Sequence, residues 1–260
     1  MTYSTVTYEV KNRVANVTMN RPDKRNALDE TMIGELAGVL QNINRSADSR
    51  VVILTGSSGF FCAGMDLDYL KIMSDKGHED NLKDAHNFLN LLQIISSLKK
   101  PIIAMVDGPA LGGGCGLAAA CDFVLAAKDS ARLGTPEVRL GFVPAVILLF
   151  LIKRMGEGRA KELVLRGDIL DAARAKEVGL VTEIVEDVKL KQTTVAFAEK
   201  LAATTSPSAI SLTKELFSRL NDMNLQEIME YAANLNALAR KTEDFRKGID
   251  SFIKKEKLQW

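Results

Sequence analysis

Short apolar runs of strand type alternate with segments of helical periodicity through the first half of the chain, and this alternation narrows the fold more than any other feature. Thr5–Val10, Val14–Met19, Val51–Thr55, Ile102–Val106 and Phe123–Ala126 read as strands, whereas Asp29–Asn44 and Asp80–Leu98 carry apolar residues at helical spacing. Strands separated by helices imply βαβ units and a mainly parallel sheet. From Glu157 onward the sequence reads as almost wholly helical, with periodic segments at Asp187–Ala203, Pro207–Leu220, Leu225–Arg240 and Glu243–Lys255. Ser206 followed by Pro207 is a helix start, a capping side chain and then proline at the first helical position. No Ser/Gly-rich linker or internal repeat interrupts the chain, so the helical tail is expected to pack on the body or on a neighbouring subunit.

The 260 residues suffice for one large domain, or for a domain with a helical appendage. Basic and acidic residues number 34 and 33, for a net charge of +1, so no overall field draws the chain to nucleic acid or an anionic membrane. Any anionic ligand must be held locally. The longest apolar run, Val143–Ile152, is about half the length of a membrane span and predicts a buried or interfacial helix. Cys62, Cys115 and Cys121 lack metal-ligand spacing, and an odd number argues against a disulfide framework. A reducing cytoplasm is the expected location. The N-terminal residues alternate as a strand does and have the pattern of neither a secretory signal nor a transit peptide.

Three segments could carry chemistry. In "PALGGGCGLAAACD", Pro109–Asp122, glycines run into a small-residue helix, where bare backbone N–H groups and the helix dipole favour negative charge. The ligand could be a phosphate or a developing oxyanion. The segment lacks the Lys-Ser/Thr ending of a phosphate loop and the spacing of a dinucleotide fingerprint, and no basic residue lies between Pro109 and Ala127, which disfavours phosphate. The same glycines would also let a helix pack tightly on a strand. In "GFFCAGMDL", Gly59–Leu67, a turn after the strand "VVILTG" precedes a helix start at Asp66, leaving the Met65 N–H as another free donor or as part of an ordinary strand-to-helix turn. In "LGTPEVRLGFVPA", Leu133–Ala145, Glu137 follows Pro136 in a first helical turn. The dipole accounts for a carboxylate there. The functional reading is a general acid/base among Leu133, Val138, Phe142 and Val143, with burial raising its pKa. His78 and His86 lie in a polar stretch and read as solvated, Ser57-Ser58 lacks a nucleophile elbow, and Cys115 and Cys121 read as buried, inert thiols.

Taken together, "NRPDKRNALD", "FCAGMDL", "ALGGGCGLAAACD", "TPEVRLGFVP" and "TEDFRKGIDSFIKK" resemble the crotonase, or enoyl-CoA hydratase/isomerase, family in its order from Asn20 to Lys255. The resemblance implies an α/β fold: a crotonase-like spiral of ββα repeats, residues 1–200, with a C-terminal helical trimerisation region, residues 201–260. It implies a homotrimer or homohexamer and an acyl-CoA thioester substrate, with no metal and no separate cofactor, in fatty-acid or branched-chain amino-acid breakdown. The N–H groups of Met65 and Gly113 match the pair that holds the thioester oxygen while charge spreads into an enolate. The turn Lys24–Leu28, including Arg25 and Ala27, matches the segment lying against the CoA phosphates and pantetheine. Ala63, Asp66 and Leu67 match the adenine end, Gly112 and Pro136 flank the reacting groups, and Lys254 or Lys255 matches a basic residue that approaches the nucleotide.

One departure from the two-glutamate hydratases stands out. Those enzymes have glutamates at the positions of Gly116 and Glu137, and here only Glu137 remains. A single carboxylate at this position resembles Δ3-Δ2-enoyl-CoA isomerases and some hydratases of branched substrates, and "EVRLGFVPAVI" is similar to bacterial 3-methylglutaconyl-CoA hydratases. Val146-Ile147-Leu148 replaces a glycine-rich segment of many relatives, which leaves chain-length preference open. The expected activity is reversible hydration of a 2-enoyl-CoA, with double-bond isomerisation or a catalytically weak acyl-CoA-binding subunit as alternatives. A nucleotide-binding oxidoreductase is disfavoured by the missing glycine fingerprint.

Overall fold

The main sheet runs β1 (Val6–Lys11), β2 (Val14–Met19), β3 (Val51–Gly56), β4 (Ile102–Val106), β6 (Phe123–Ala127) and β9 (Glu183–Val185), in that spatial order. The computed structural model describes residues 3–220 and 222–260. Strand β1 is antiparallel to β2, and every later neighbour is parallel. Asn12 and Arg13, at φ 50° and 63°, form the two-residue turn between β1 and β2, a conformation whose twist suits a hairpin. Each remaining strand is reached through a helical crossover and lies beside its predecessor, so the chain winds as a spiral. Strand β3 is buried at all six positions, as a central parallel strand covered on both faces must be.

A second, smaller sheet pairs β5 (Pro109–Leu111) with β7 (Arg132–Gly134) in parallel and β7 with β8 (Ile169–Asp171) antiparallel. The isolated parallel bridges Leu28 to Met65 and Cys62 to Ala110 extend the same layer. A turn of the spiral thus supplies one main-sheet strand, one short strand or bridge, and helix, which is the ββα repeat the resemblance implied. The short strands correct the reading of the chain beyond Glu157 as almost wholly helical, since β8 and β9 interrupt it.

Helix α1 (Glu30–Arg45) is capped by Asp29, whose carboxylate accepts the Met32 N–H at 2.8 Å, and buries Met32, Ile33, Leu36, Val39, Leu40 and Ile43 along one stripe. Burying each such side chain stabilises the fold by about 1.5–3 kcal/mol. After α2 (Leu67–Ser74) and α3 (His78–Ser97) comes α4 (Gly113–Ala120), every residue of which is buried. A Cβ at Gly114 would lie 2.3 Å from the Cys62 carbonyl oxygen, so only glycine lets α4 approach that loop. The apolar run Val143–Ile152 forms most of α5 (Ala145–Met155), with Ile147, Phe150 and Leu151 buried and Leu149 60% exposed, so one side meets the core and the other does not.

Helices α6 (Glu157–Arg166) and α7 (Ala172–Glu177) close the last turns, and α8 (Leu190–Thr204) continues through residue 200 to pack across the main sheet. The tail helices α9 (Pro207–Arg219), α10 (Leu225–Ala239) and α11 (Glu243–Lys254) start at the side-chain caps Ser206, Asn224 and Thr242. The buried Lys214 of α9 pairs with Asp122, mooring the tail to the end of α4. Beyond it the tail leaves Phe217, Leu225, Met229, Phe252 and Ile253 exposed. No helix among the described residues is long and apolar enough to cross a membrane.

Candidate active site

The loops that follow the C-terminal ends of β2, β3 and β4 converge. After β2 the chain makes a 3-10 turn at Pro22–Lys24 and then places Arg25 and Asn26 in left-handed conformation. The buried Asn26 side chain fixes this turn: its amide donates to the Ser57 and Phe60 carbonyls at 2.9 and 2.7 Å, and its oxygen accepts the Arg21 N–H at 2.9 Å. The loop after β3 is thereby tied to the loop after β2. Leu28 N–H donates to the Gly64 carbonyl at 2.7 Å, and Asp66 N–H donates to the Leu28 carbonyl at 2.8 Å. In such a parallel bridge the flanking residues make the bonds, so Met65's own N–H points to the other side. Among the described residues that N–H has no acceptor.

The loop after β4 supplies the facing group. Gly112 has φ +50° and ψ −118°, a conformation for glycine, and leads into α4. Gly113 N–H is the first donor of that helix and also lacks an acceptor among the described residues. A Cβ at Gly64 would lie 3.8 Å from the Gly113 nitrogen, which measures how closely the two loops approach. Two free amides and the positive end of α4 therefore share one small region.

Glu137 closes the site from a third direction, on the 3-10 turn Pro136–Leu140. A Cβ at Gly112 would sit 2.9 Å from Glu137 Oε1, so the carboxylate rests on the bare Gly112 backbone. Its Oε2 is buried with no hydrogen-bond partner, and burial raises the pKa above the ordinary carboxylate value. The expected apolar surround is different in detail. Leu133 is buried, but Val138, Phe142 and Val143 are 36%, 49% and 64% exposed, and the carboxylate itself lies against Gly112 at the start of α4. Cys115 is close enough to feel its charge: burial pushes that thiol up to about 12, with Glu137 adding to the effect. Cys62 and Cys121 are likewise buried and pushed up to about 12, while His78 and His86 are exposed.

Two unpaired amide donors on neighbouring loops, with a carboxylate whose Oε2 is unpartnered, can hold an oxygen that gains negative charge and move a proton next to it. The sequence pattern of the enoyl-CoA hydratase/isomerase family matches residues 9–260. The chain belongs to this family. A Thermus thermophilus relative is 38% identical over 245 residues, covering 94% of this chain and 96% of its own. The 2,3-dehydroadipyl-CoA hydratase of Escherichia coli is 34% identical over 244 residues, covering 94% of this chain and 93% of its own. The crystal structure of an enoyl-CoA hydratase/isomerase from Cupriavidus metallidurans superposes with TM-score 0.91 at 34% identity, covering 99% of this chain and 96% of that one.

The other family positions divide into two groups. Lys24, Arg25, Ala27, Leu28, Ala63, Asp66 and Leu67 gather on the tied loops: Ala63 N–H donates to the Arg25 carbonyl at 3.1 Å, and Lys24 Nζ lies 4.0 Å from Asp66. Lys24 is exposed and bonded at 2.6 Å to Asp68, and Leu67 is 65% exposed. Lys254 and Lys255 lie at the end of α11, which packs on α9, and no bond joins them to these loops among the described residues.

Sequence reasoning passed over Arg21, whose guanidinium lies 3.0 Å from both Asp29 and Asp66. Although burial alone would raise it, the Arg21 bond and the Asp68 and Tyr69 amides hold the Asp66 carboxyl below its ordinary value. Arg21 sits inside the motif "NRPDKRNALD", but nothing in the local pattern distinguishes it from its two basic neighbours. The space beside Gly116 is occupied by Ile147, 2% exposed, whose Cγ2 would lie 2.2 Å from a Cβ at position 116.

Proposed function

We propose that this chain adds water reversibly to a 2-enoyl-CoA, giving a 3-hydroxyacyl-CoA. The observation that carries the reading is the Glu137 carboxylate, resting on Gly112 with Oε2 unpartnered, beside the free Met65 and Gly113 amides. The thioester oxygen accepts from both amides. That polarisation draws electron density from the β-carbon, and Glu137 takes a proton from the water as its oxygen bonds there. The resulting enolate oxygen is anionic, and removing one such donor typically costs ~3–4 kcal/mol of transition-state stabilisation. Glu137 then returns a proton to the α-carbon. A raised pKa suits a group that must both take and give it.

The CoA moiety is assigned to the loops bearing Lys24, Arg25, Ala27, Leu28, Ala63, Asp66 and Leu67, with Gly112, Pro136 and the Ile147 wall that covers Gly116 bordering the acyl group. The name of the Escherichia coli relative supports hydration, and its substrate carries a CoA thioester. Lys254 or Lys255 reaches the nucleotide from a neighbouring subunit in a homotrimer or a homohexamer. Exposed apolar side chains on α10 and α11 support that assembly.

Ile147 favours a second reading, isomerisation of a 3-enoyl-CoA, because an apolar wall stands where a second water-holding group would be. Crotonyl-CoA, a 3-enoyl-CoA and 3-methylglutaconyl-CoA are assayed side by side, with products separated by mass. Addition of water to a 2-enoyl-CoA supports hydration, and its addition to 3-methylglutaconyl-CoA in preference to crotonyl-CoA supports a branched substrate. Bond migration with no mass gain supports the isomerase, and binding without turnover a non-catalytic subunit.

A further inference from the structure

The register of the main sheet brings three cations into one row at the edge opposite the candidate active site. Val14 pairs with Val51, and Val52 with Ile102, so extending the register puts Arg13 and Arg50, just before β2 and β3, level with Lys100, two residues before β4. The Arg50 N–H donates to the Arg13 carbonyl at 2.7 Å, which continues the row one residue beyond the strands. Neighbouring strands lie about 4.8 Å apart, and like charges directly opposite one another destabilise a sheet. The active-site loops leave the other ends of these strands, five or six residues away, or roughly 17–20 Å at the usual rise.

These cations and Lys99 line a cavity of about 340 Å³ whose lining contains no carboxylate, in a chain with almost equal numbers of acids and bases. None of the four makes an ion pair within 4.0 Å among the described residues. Lys100 Nζ donates to the carbonyls of Ile43 and Ser46 at 2.5 and 2.6 Å, and to Ser49 Oγ at 3.2 Å. Arg50 donates to the Ala202 carbonyl at 2.9 Å. These partners are neutral and fix the side chains without cancelling their charge. The nearest acids stand outside the lining: Asp48 accepts from Ser46 Oγ at 2.9 Å and acts at a distance on Lys100, and Asp244 accepts from Ser206 Oγ at 2.6 Å and from the Ser208 N–H at 3.0 Å and acts at a distance on Arg50, neither forming an ion pair with the row. Burial pushes Arg50 and Lys100 down, and Arg13 adds to the effect on Arg50.

We propose that this cavity is a second ligand site, taking a phosphate-bearing anion. A phosphate carries more than one charge and several acceptor oxygens, matching several cations around one space, whereas one carboxylate would neutralise a single member. The volume admits a phosphate monoester as well as the free ion.

The test is thermal unfolding of the whole protein in inorganic phosphate and in sodium chloride of equal ionic strength. Phosphate raises the wild-type Tm by about 2–5 °C over chloride as it saturates. The double variant Arg13→Gln/Lys99→Gln, at two exposed side chains, loses that shift and keeps acyl-CoA turnover. Arg13→Gln alone, on the hairpin turn, shows a partial loss and serves where the double variant folds poorly. Lys24→Gln, at the candidate CoA site, keeps the shift. Calorimetric titration with inorganic phosphate and with AMP separates the free ion from a nucleotide-borne phosphate, each weakened at least ~10-fold in the double variant. Equal wild-type Tm in the two salts overturns the proposal. So does a shift that survives in the double variant or disappears in Lys24→Gln.

Discussion

Ile147 stands directly over Gly116: a Cβ at position 116 would come within 2.2 Å of Ile147 Cγ2 and 2.8 Å of its Cβ. Gly116 N–H donates to the Gly112 carbonyl one turn earlier, and Gly112 is the residue against which Glu137 rests. The helix face that meets the carboxylate at one turn therefore meets an apolar wall at the next. Gly116→Glu alone is expected to destabilise the fold by ~1–3 kcal/mol through overpacking, and Ile147→Gly alone by ~2–5 kcal/mol through the cavity it leaves. Combined, they fill one another's space. Urea unfolding is expected to give a double variant less destabilised than the sum by at least ~1 kcal/mol, with hydration of crotonyl-CoA higher than in Gly116→Glu. Additive losses would mean that the two positions do not share that volume.

Glu137 offers a test with a defined sign. Its pKa is raised by burial, so the folded state binds the proton more tightly than the unfolded state, and the stability gained from protonation disappears as pH rises through the folded value. Glu137→Gln removes a carboxylate whose charged form burial disfavours. The variant is therefore expected to unfold at a higher urea concentration than wild type at pH 8, while turnover falls by ~10²–10⁴ and CoA affinity stays within a few-fold. In the wild type the acid limb of kcat/KM lies above the ordinary carboxylate range, because the base form is the active one. A limb at the ordinary value, or unchanged turnover in the variant, would remove Glu137 from the reaction.

Legibility in the sequence followed the length of each signal. Strands β2, β3, β4 and β6 are five or six residues of apolar character and were readable to within a residue. The strands β5, β7, β8 and β9 have three residues each, too few for periodicity to register, and they hold together through neighbours distant in the chain. The glycine run was readable as backbone exposed at a helix start because the Gly112 conformation is local. The cover over Glu137 was not. Val138, Phe142 and Val143 are its neighbours in sequence and are largely exposed, whereas the carboxylate lies against Gly112, distant in the chain. Arg21 escaped notice because its partners Asp29 and Asp66 become neighbours only once the two loops are tied.

Lys24 is held by Asp68 at 2.6 Å, and the Asp68 bond, with Asp66 nearby, raises its pKa. Both partners are exposed, so solvent screens the pair and it adds little to stability. Its effect on an incoming phosphate is larger in proportion, because the lysine must leave one anion to meet another. Asp68→Asn is expected to lower KM for acyl-CoA by about 2–5-fold at low salt with kcat unchanged, and Lys24→Gln to raise it. Salt should shrink both effects. A KM indifferent to both substitutions would show that the Lys24–Leu28 turn does not meet the CoA phosphates.

Arg21 joins the turn carrying Leu28 to the turn carrying Met65, because its guanidinium lies 3.0 Å from Asp29 and from Asp66 and donates to the Ala27 carbonyl at 2.6 Å. Asp66 in turn caps α2 and is only 6% exposed. Removing the cation leaves a buried carboxylate with only the exposed Lys24 at 4.0 Å as counter-charge, so Arg21→Gln is expected to cost about 2–4 kcal/mol in urea unfolding at pH 7. The pH dependence has the opposite sign from that of Glu137. Asp66 has a depressed pKa, so its contribution is present above the ordinary carboxylate value and is lost as pH falls through the folded value. The gap between wild type and Arg21→Gln should therefore narrow from pH 6 toward pH 3. Turnover should fall more than stability alone predicts at saturating substrate, because the Met65 amide is aimed by the Leu28 bridge that this ion pair supports. A variant equally stable at pH 7, or a gap that widens in acid, would assign Arg21 no part in holding the two loops together.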